Sequence, residues 1–272
     1  MNGFNAVSSA IFDVVLAPFG HRYAWFDLLV WPVLAGIAAL LVYKRVSNQA
    51  GIARAKNGIA VHLLEVRLFR DDLVGVLVST AKALGQNALY LGHNLLPMVV
   101  MFVPMMAIVV QLVAHYALAP LPPGSVDLLT VRVDPAATVK PADLRLELPE
   151  GIALDAPPVR TPDGEVVWRL RAVAEGDWVA KIHAGDQVIE KRIAVGGAPR
   201  KVPVMRTKSW EALLYPGEPG MPAASPLYSA ALHYPDRCFR FFPGGEGGIL
   251  LWFLGASLAA GFVLKGRFGV TI

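Results

Sequence analysis

Few residues in this chain sit where covalent chemistry would need them. His62 and Glu65 lie three apart, the spacing of two ligands on one helical face, but no third metal ligand is evident. His233 and Asp236 fall near Cys238, the single cysteine, which excludes an internal disulfide framework and a cysteine-rich zinc or iron–sulfur site. No nucleophile with a base and no carboxylate pair is singled out. The expectation is therefore no enzyme, no cofactor and no metal. A lipid- or sugar-transferring enzyme using His233 and Asp236 is the weaker alternative. The polar residues that stand out lie in or beside apolar segments: Gln86, Asn87, His93 and Asn94, then Gln111 and His115, and Asp27. Such side chains either replace water for a polar segment crossing hydrocarbon or hydrogen-bond one helix to the next. The sequence leaves both roles open.

The elements that position them are apolar and long. Of the 272 residues 55% are hydrophobic and 17% charged, against about 25% charged in an ordinary globular domain. Mean hydropathy is +0.49. The excess concentrates in residues 25–43, 95–118 and 247–264, where only Asp27 carries a formal charge. At 1.5 Å per residue these reach about 28, 36 and 27 Å, enough for a hydrocarbon core of about 30 Å. None shows a polar face, so three transmembrane helices are expected. Pro97 and Pro104 free backbone carbonyls in the second and could bend it. Gly255 with Ala259, and Ser257 with Gly261, form small-residue faces suited to close packing in the third. Residues 1–20 read as a short amphipathic helix at the membrane interface: Phe4, Val7, Ala10, Ile11, Val14 and Val15 recur at helical spacing, and Pro18 and Gly20 end it. The absence of a basic start or a cleavage site argues against a removable signal peptide.

Charge orients these spans. Residues 44–91 hold seven Lys or Arg against three Asp or Glu, and the tail 265–272 adds two more bases. Residues 119–246 hold fifteen basic and sixteen acidic side chains. The positive-inside rule puts residues 44–91 and the C-terminus in the cytoplasm, and the N-terminus outside, in the bacterial inner (plasma) membrane. Juxtamembrane bases facing anionic lipid account for the pI near 9.2, so no nucleic acid is implied.

Apolar stripes through Ile52, Ile59, Leu63 and Val66, and through Leu73, Leu77 and Leu84, predict a cytoplasmic helical hairpin of about 46–69 and 72–90, capped at Asp71 or Asp72. One long helix is the alternative. Composition changes at a Pro/Gly hinge, Pro120 to Gly124. Alternating runs follow at Leu128–Val133, Leu144–Leu148, Val166–Ala172, Trp178–His183 and Val188–Val195, with turns at Pro162–Gly164 and Gly185–Asp186. These predict an extracytoplasmic immunoglobulin-like β-sandwich over 125–200. Residues 201–246 read as a membrane-proximal, aromatic-rich segment holding Trp210, Tyr215, Tyr228, Tyr234, Phe239, Phe241 and Phe242, with a further strand at Leu227–Tyr234. The fold class is α+β: three transmembrane helices, a cytoplasmic hairpin and an outer sandwich.

This order of elements resembles the core of the YidC/Oxa/Alb insertase superfamily. Local sequence adds Asp71-Asp72 at the hairpin tip, Gly85-Gln86-Asn87, Leu96-Pro97-Met98 and Pro104, over roughly residues 25–118 and 247–265. The chain departs from bacterial insertases in lacking an arginine in the first span, in longer spacings from Gly85 to Leu96 and from Pro97 to Pro104, and in placing its sandwich between the second and third spans. The resemblance implies a non-covalent activity. A polar groove among three helices, drawn from the residues above, would carry segments of client membrane proteins into the bilayer, with Met98, Met101, Met105 and Met106 suiting varied apolar clients. The other function class is a structural or scaffold subunit whose sandwich docks an extracytoplasmic protein.

Overall fold

A computed structural model describes residues 2–16 and 23–270, apart from the side chains of residues 2, 4 and 6. Phe4, expected on the first helix, and Pro18 and Gly20, expected to end it, lie outside the described part. Among the described residues there are five α-helices: α1 (Asn2–Leu16), α2 (Ala24–Val46), α3 (Gln49–Leu68), α4 (Leu73–Tyr116) and α5 (Gly245–Phe268). Helices α2, α4 and α5 are long and apolar enough to cross a membrane. Between α4 and α5 lie β1 (Val126–Val133), β2 (Arg145–Glu147), β3 (Ile152–Arg160), β4 (Glu165–Ala172), β5 (Gly176–Ala184), β6 (Gln187–Val195), β7 (Met205–Thr207) and β8 (Leu227–Leu232). The chain divides into two compact units, Met1–Leu28 with Val109–Trp252, and Leu29–Ile108 with Phe253–Ile272.

In the first unit the strands form two antiparallel sheets, ordered β3-β4-β1-β8-β7 and β2-β5-β6. Strict alternation builds them: Val166, Trp168, Leu170 and Ala172 of β4 all point into one core, which β1, β5, β6 and β8 also line. The β5–β6 hairpin turns on Gly185-Asp186, with Ala184 opposite Gln187. Gly185 takes φ +62°, the conformation that a two-residue turn reserves for glycine. Two features differ from the sequence reading. Strand β3 was not among the expected runs because Asp155 and Pro157-Pro158 break its alternation. It survives as the outermost strand of its sheet, with register shifts at those residues, where a strand tolerates proline. The domain also does not end at residue 200. Strands β7 and β8 hydrogen-bond into the larger sheet, and Val202, Met221 and Tyr234 complete the core. Tyr234 is thus a core residue, its hydroxyl accepting from the Ala194 amide at 3.0 Å. The expected Pro/Gly hinge is likewise stitched down, with Leu121 buried and its amide bonded to Ala194 O at 3.0 Å.

In the second unit α3 and α4 form a hairpin. Asn48 caps α3, its side chain accepting from the Gly51 amide at 2.9 Å, and the Asp72 carboxylate accepts from the Val74 amide at 3.1 Å where α4 begins. The second hairpin arm and the apolar stretch after it are one 44-residue helix. It runs through Pro97 and Pro104 without interruption, and α2 likewise runs through Pro32. Leu40, Tyr43, Ile52 and Val270 make a small core to which Tyr90, Met101, Leu264 and Phe268 add.

Candidate functional site

Three polar side chains are buried in the first unit at helix ends that are otherwise apolar: Asp27 near the start of α2, and Gln111 and His115 in the last turns of α4. Burial of such groups costs several kcal/mol unless they are hydrogen-bonded, roughly 2–7 by group and reference. Each has a partner. The Tyr116 hydroxyl donates to Asp27 at 2.5 Å, and the Arg237 guanidinium lies 5.8 Å from the Tyr116 ring centroid and 4.8 Å from that of Phe239. Gln111 Nε2 donates to Ser8 Oγ at 3.1 Å and to Ser9 Oγ at 3.4 Å. His115 Nδ1 faces Gln111 O at 2.7 Å, and Nε2 faces Asp13 Oδ1 at 2.9 Å. A carbonyl and a carboxylate only accept, so the doubly protonated ring satisfies both contacts and a neutral tautomer satisfies one.

Lys201 completes the cluster, its Nζ reaching Asp13 Oδ1 at 2.9 Å. Partial burial pushes the Asp13 carboxyl up, but Lys201 and His115 outweigh it and hold the group below its ordinary value. Sequence reading singled out Gln111, His115 and Asp27 but not Asp13, Lys201 or Tyr116. Lys201 stands 188 residues from Asp13, and no local pattern connects them.

The remaining candidates lie in the second unit, and most serve the hairpin. A Cβ placed on Gly58 would meet the Gln86 carboxamide at 2.9 Å, and one on Gly51 would meet His93 Nε2 at 2.7 Å. One step further toward the tip, Ser79 donates to Glu65 Oε2 at 3.0 Å. The pairs 51–93, 58–86 and 65–79 advance by seven residues on both arms, the repeat of an antiparallel coiled-coil seam. Gln86 and His93 therefore lie in that seam, each against a glycine. His62 also belongs to this network, with Nδ1 at 2.9 Å from Glu65 Oε2. The His62 and Ser79 contacts hold the Glu65 carboxyl below its ordinary range. Asn94 accepts from the Tyr43 hydroxyl and donates to Tyr90 O at 2.6 Å, while Asn87 is exposed. A seven-residue match between small residues on one arm and large polar ones on the other was the signal available for this seam.

Helix α5 approaches α2 closely, through Ser257 of the four expected residues and through Ala260. A Cβ on Gly36 would lie 2.4 Å from Ser257 O and 3.1 Å from Ala260 Cβ, whereas Gly255 and Gly261 face open space and Ala259 is exposed. Pro97 is buried and Pro104 exposed on α4. His233 bonds Asp127 at 2.9 Å, and Cys238 is exposed.

In the two-sheet domain Lys191 is fully buried on the inner face of β6, where its ammonium contacts Glu218 and Pro203 O. Burial pushes the lysine down and the glutamate up. On the outside of the smaller sheet a depression of about 500 Å³ is lined by Glu147, Lys181, His183, Glu190 and Arg206 among others. Among the described residues no group of three or more His, Cys, Asp or Glu could hold a metal ion.

No protein-family model, no curated protein and no solved structure matches this chain.

Proposed function

We propose that α2, α4 and α5 cross the bacterial inner membrane, with the α3–α4 hairpin and the C-terminus in the cytoplasm. The immunoglobulin-like two-sheet domain and the N-terminus then lie outside. In this arrangement the protein acts as an insertase or chaperone for membrane-protein segments, as the resemblance to the YidC/Oxa/Alb superfamily implies. The observation that carries the reading is the outer face of the hairpin. Its inner seam is polar, while Leu73, Leu77, Leu84, Leu91 and Leu95 recur on one exposed side of α4 with no charge among them. That side continues from the hairpin tip into the apolar stretch of the same helix. A hydrophobic client segment laid on it would cover leucines at about 1.5–3 kcal/mol each for full burial. The test is insertion of a single-span reporter into vesicles holding the full protein. Leu77→Glu with Leu84→Glu should lower insertion at least tenfold, and insertion at the parent rate by a folded variant refutes the reading.

A second reading, a structural subunit that docks an extracytoplasmic protein, is favoured by one observation. Gln111, His115 and Asp27 already have partners within their own unit, so they need no client to satisfy them. The charged depression on the smaller sheet is its natural docking surface. Lys181→Glu with Glu190→Lys should then abolish co-purification of that partner and leave reporter insertion unchanged. Retention of every partner removes this alternative.

A further inference from the structure

Helix α1 turns its hydrogen-bonding side chains, beside the buried Leu16, toward the rest of its unit. Asn5 Nδ2 donates to Ala212 O at 2.6 Å, Ser8 and Ser9 receive Gln111, and Asp13 receives His115 and Lys201. The opposite face is apolar and uncovered: Val7 is 62% exposed, Ile11 55% and Val14 73%, at i, i+4 and i+7, with Ala10 between them. Asp13 is the only formal charge on the helix, and it is already paired.

Two observations say what covers the apolar face. The hydrogen-bonding side is bolted to Gln111 and His115, in the last turns of α4, where a helix of this length and composition leaves the hydrocarbon. Exposed aromatic side chains stand at the same end of the neighbouring elements: Tyr23 and Trp25 at the start of α2, and Trp210 on the turn that receives Asn5. Tyrosine and tryptophan are the residues that settle at the bilayer interface. We infer that α1 is a clamp between the bilayer and the two-sheet domain, its Val7–Ile11–Val14 face seated at the acyl boundary of the outer leaflet. Because that face carries no Lys or Arg, the attachment is to hydrocarbon rather than to anionic headgroups. The inference rests on the membrane-spanning reading of α2, α4 and α5, and it adds a fourth lipid contact that ties the outer domain down through Ala212 and Lys201.

The experiment uses the full chain reconstituted in vesicles, with Cys238→Ser removing the native thiol and Val14→Cys carrying an environment-sensitive fluorophore. Asp163→Cys, in a turn of the two-sheet domain, is the water-facing control, and Val7→Cys is an independent second site. Lipids bearing a nitroxide high on the acyl chain should quench positions 14 and 7 at least twofold more than position 163. Quenching should be equal in phosphatidylcholine and in a mixture with 30% phosphatidylglycerol. Quenching at 14 and 7 no greater than at 163, in a protein that resists alkaline carbonate extraction, overturns the clamp and leaves the spans intact. Quenching that requires phosphatidylglycerol overturns the hydrocarbon attachment. Extraction of the whole protein by carbonate overturns the membrane reading and the clamp together.

Discussion

Lys191 and Glu218 give the most quantitative prediction. Neither side chain is more than 2% exposed, and the pair has no solvent to fall back on. Lys191→Met keeps the aliphatic stem and removes the ammonium, leaving Glu218 buried with the distant Arg192 amide at 3.4 Å as a remaining donor. Breaking a buried pair from one side costs about 3–5 kcal/mol. At about 1.4 kcal/mol per decade, β6 amides that exchange only when the two-sheet domain opens should exchange about a hundred- to a few thousand-fold faster. Hydrogen exchange of the full chain, read by mass spectrometry on peptides covering residues 187–195, measures this locally. The paired replacement Lys191→Met with Glu218→Leu removes both charges, and should restore parent-like protection or exceed it, since an apolar substitute for a buried pair is often neutral to stabilising by about 1–4 kcal/mol. A single variant that accelerates exchange less than tenfold refutes the reasoning. So does a double variant as unprotected as the single one.

The α2–α5 approach predicts an asymmetry between two glycines. Gly36→Leu should destabilise the second unit by about 1–3 kcal/mol, because the obstruction at Ser257 is backbone and cannot swing away, while Gly261→Leu should be nearly silent. Thermal denaturation in detergent decides it, and equal effects at both sites refute the assigned contact. Asp13 predicts a pH response: its folded-state value lies below the ordinary 3.8, so the docking it supplies is complete above that value and is lost as pH falls through the lower folded value. A spin label at Ala10 should gain mobility below about pH 3.8 in the parent, and an Asp13→Asn variant should lose that transition. A parent label insensitive to acid sinks the assignment.

Hydropathy made the three long helices legible, since nothing but an apolar setting accommodates such stretches. Alternation made β1, β4, β5 and β6 legible for the same reason. Strand β3 was hidden because paired prolines erase the alternation that a reader counts, although an outermost strand can carry them. The polar candidates were legible as unusual residues but not by their roles. Gln86 and His93 looked like lining for a cavity, yet each meets a glycine seven residues from the next. That relation appears only when the two arms are aligned against one another. His115 was visible and its cluster was not, because Asp13, which it meets, and Lys201, which meets Asp13, stand 102 and 86 residues from it in sequence. Ser257 was chosen for its small side chain, and it makes its contact through its carbonyl oxygen.

The rims of the two sheets limit how this domain can meet another protein. On the larger sheet one margin is β3, where Pro157 and Pro158 offer no N–H, and the other is β7, three residues long. On the smaller sheet β2 is equally short, and the outer margin of β6 is covered where Arg206 holds Glu190 O and Leu121 bridges Val195. Proline, short length and side-chain or loop cover thus interrupt each of these margins, the devices by which sheets discourage edge-to-edge pairing. A substitution that removed one of them, such as Arg206→Ala on the margin of β6, would therefore act on self-association rather than on the core.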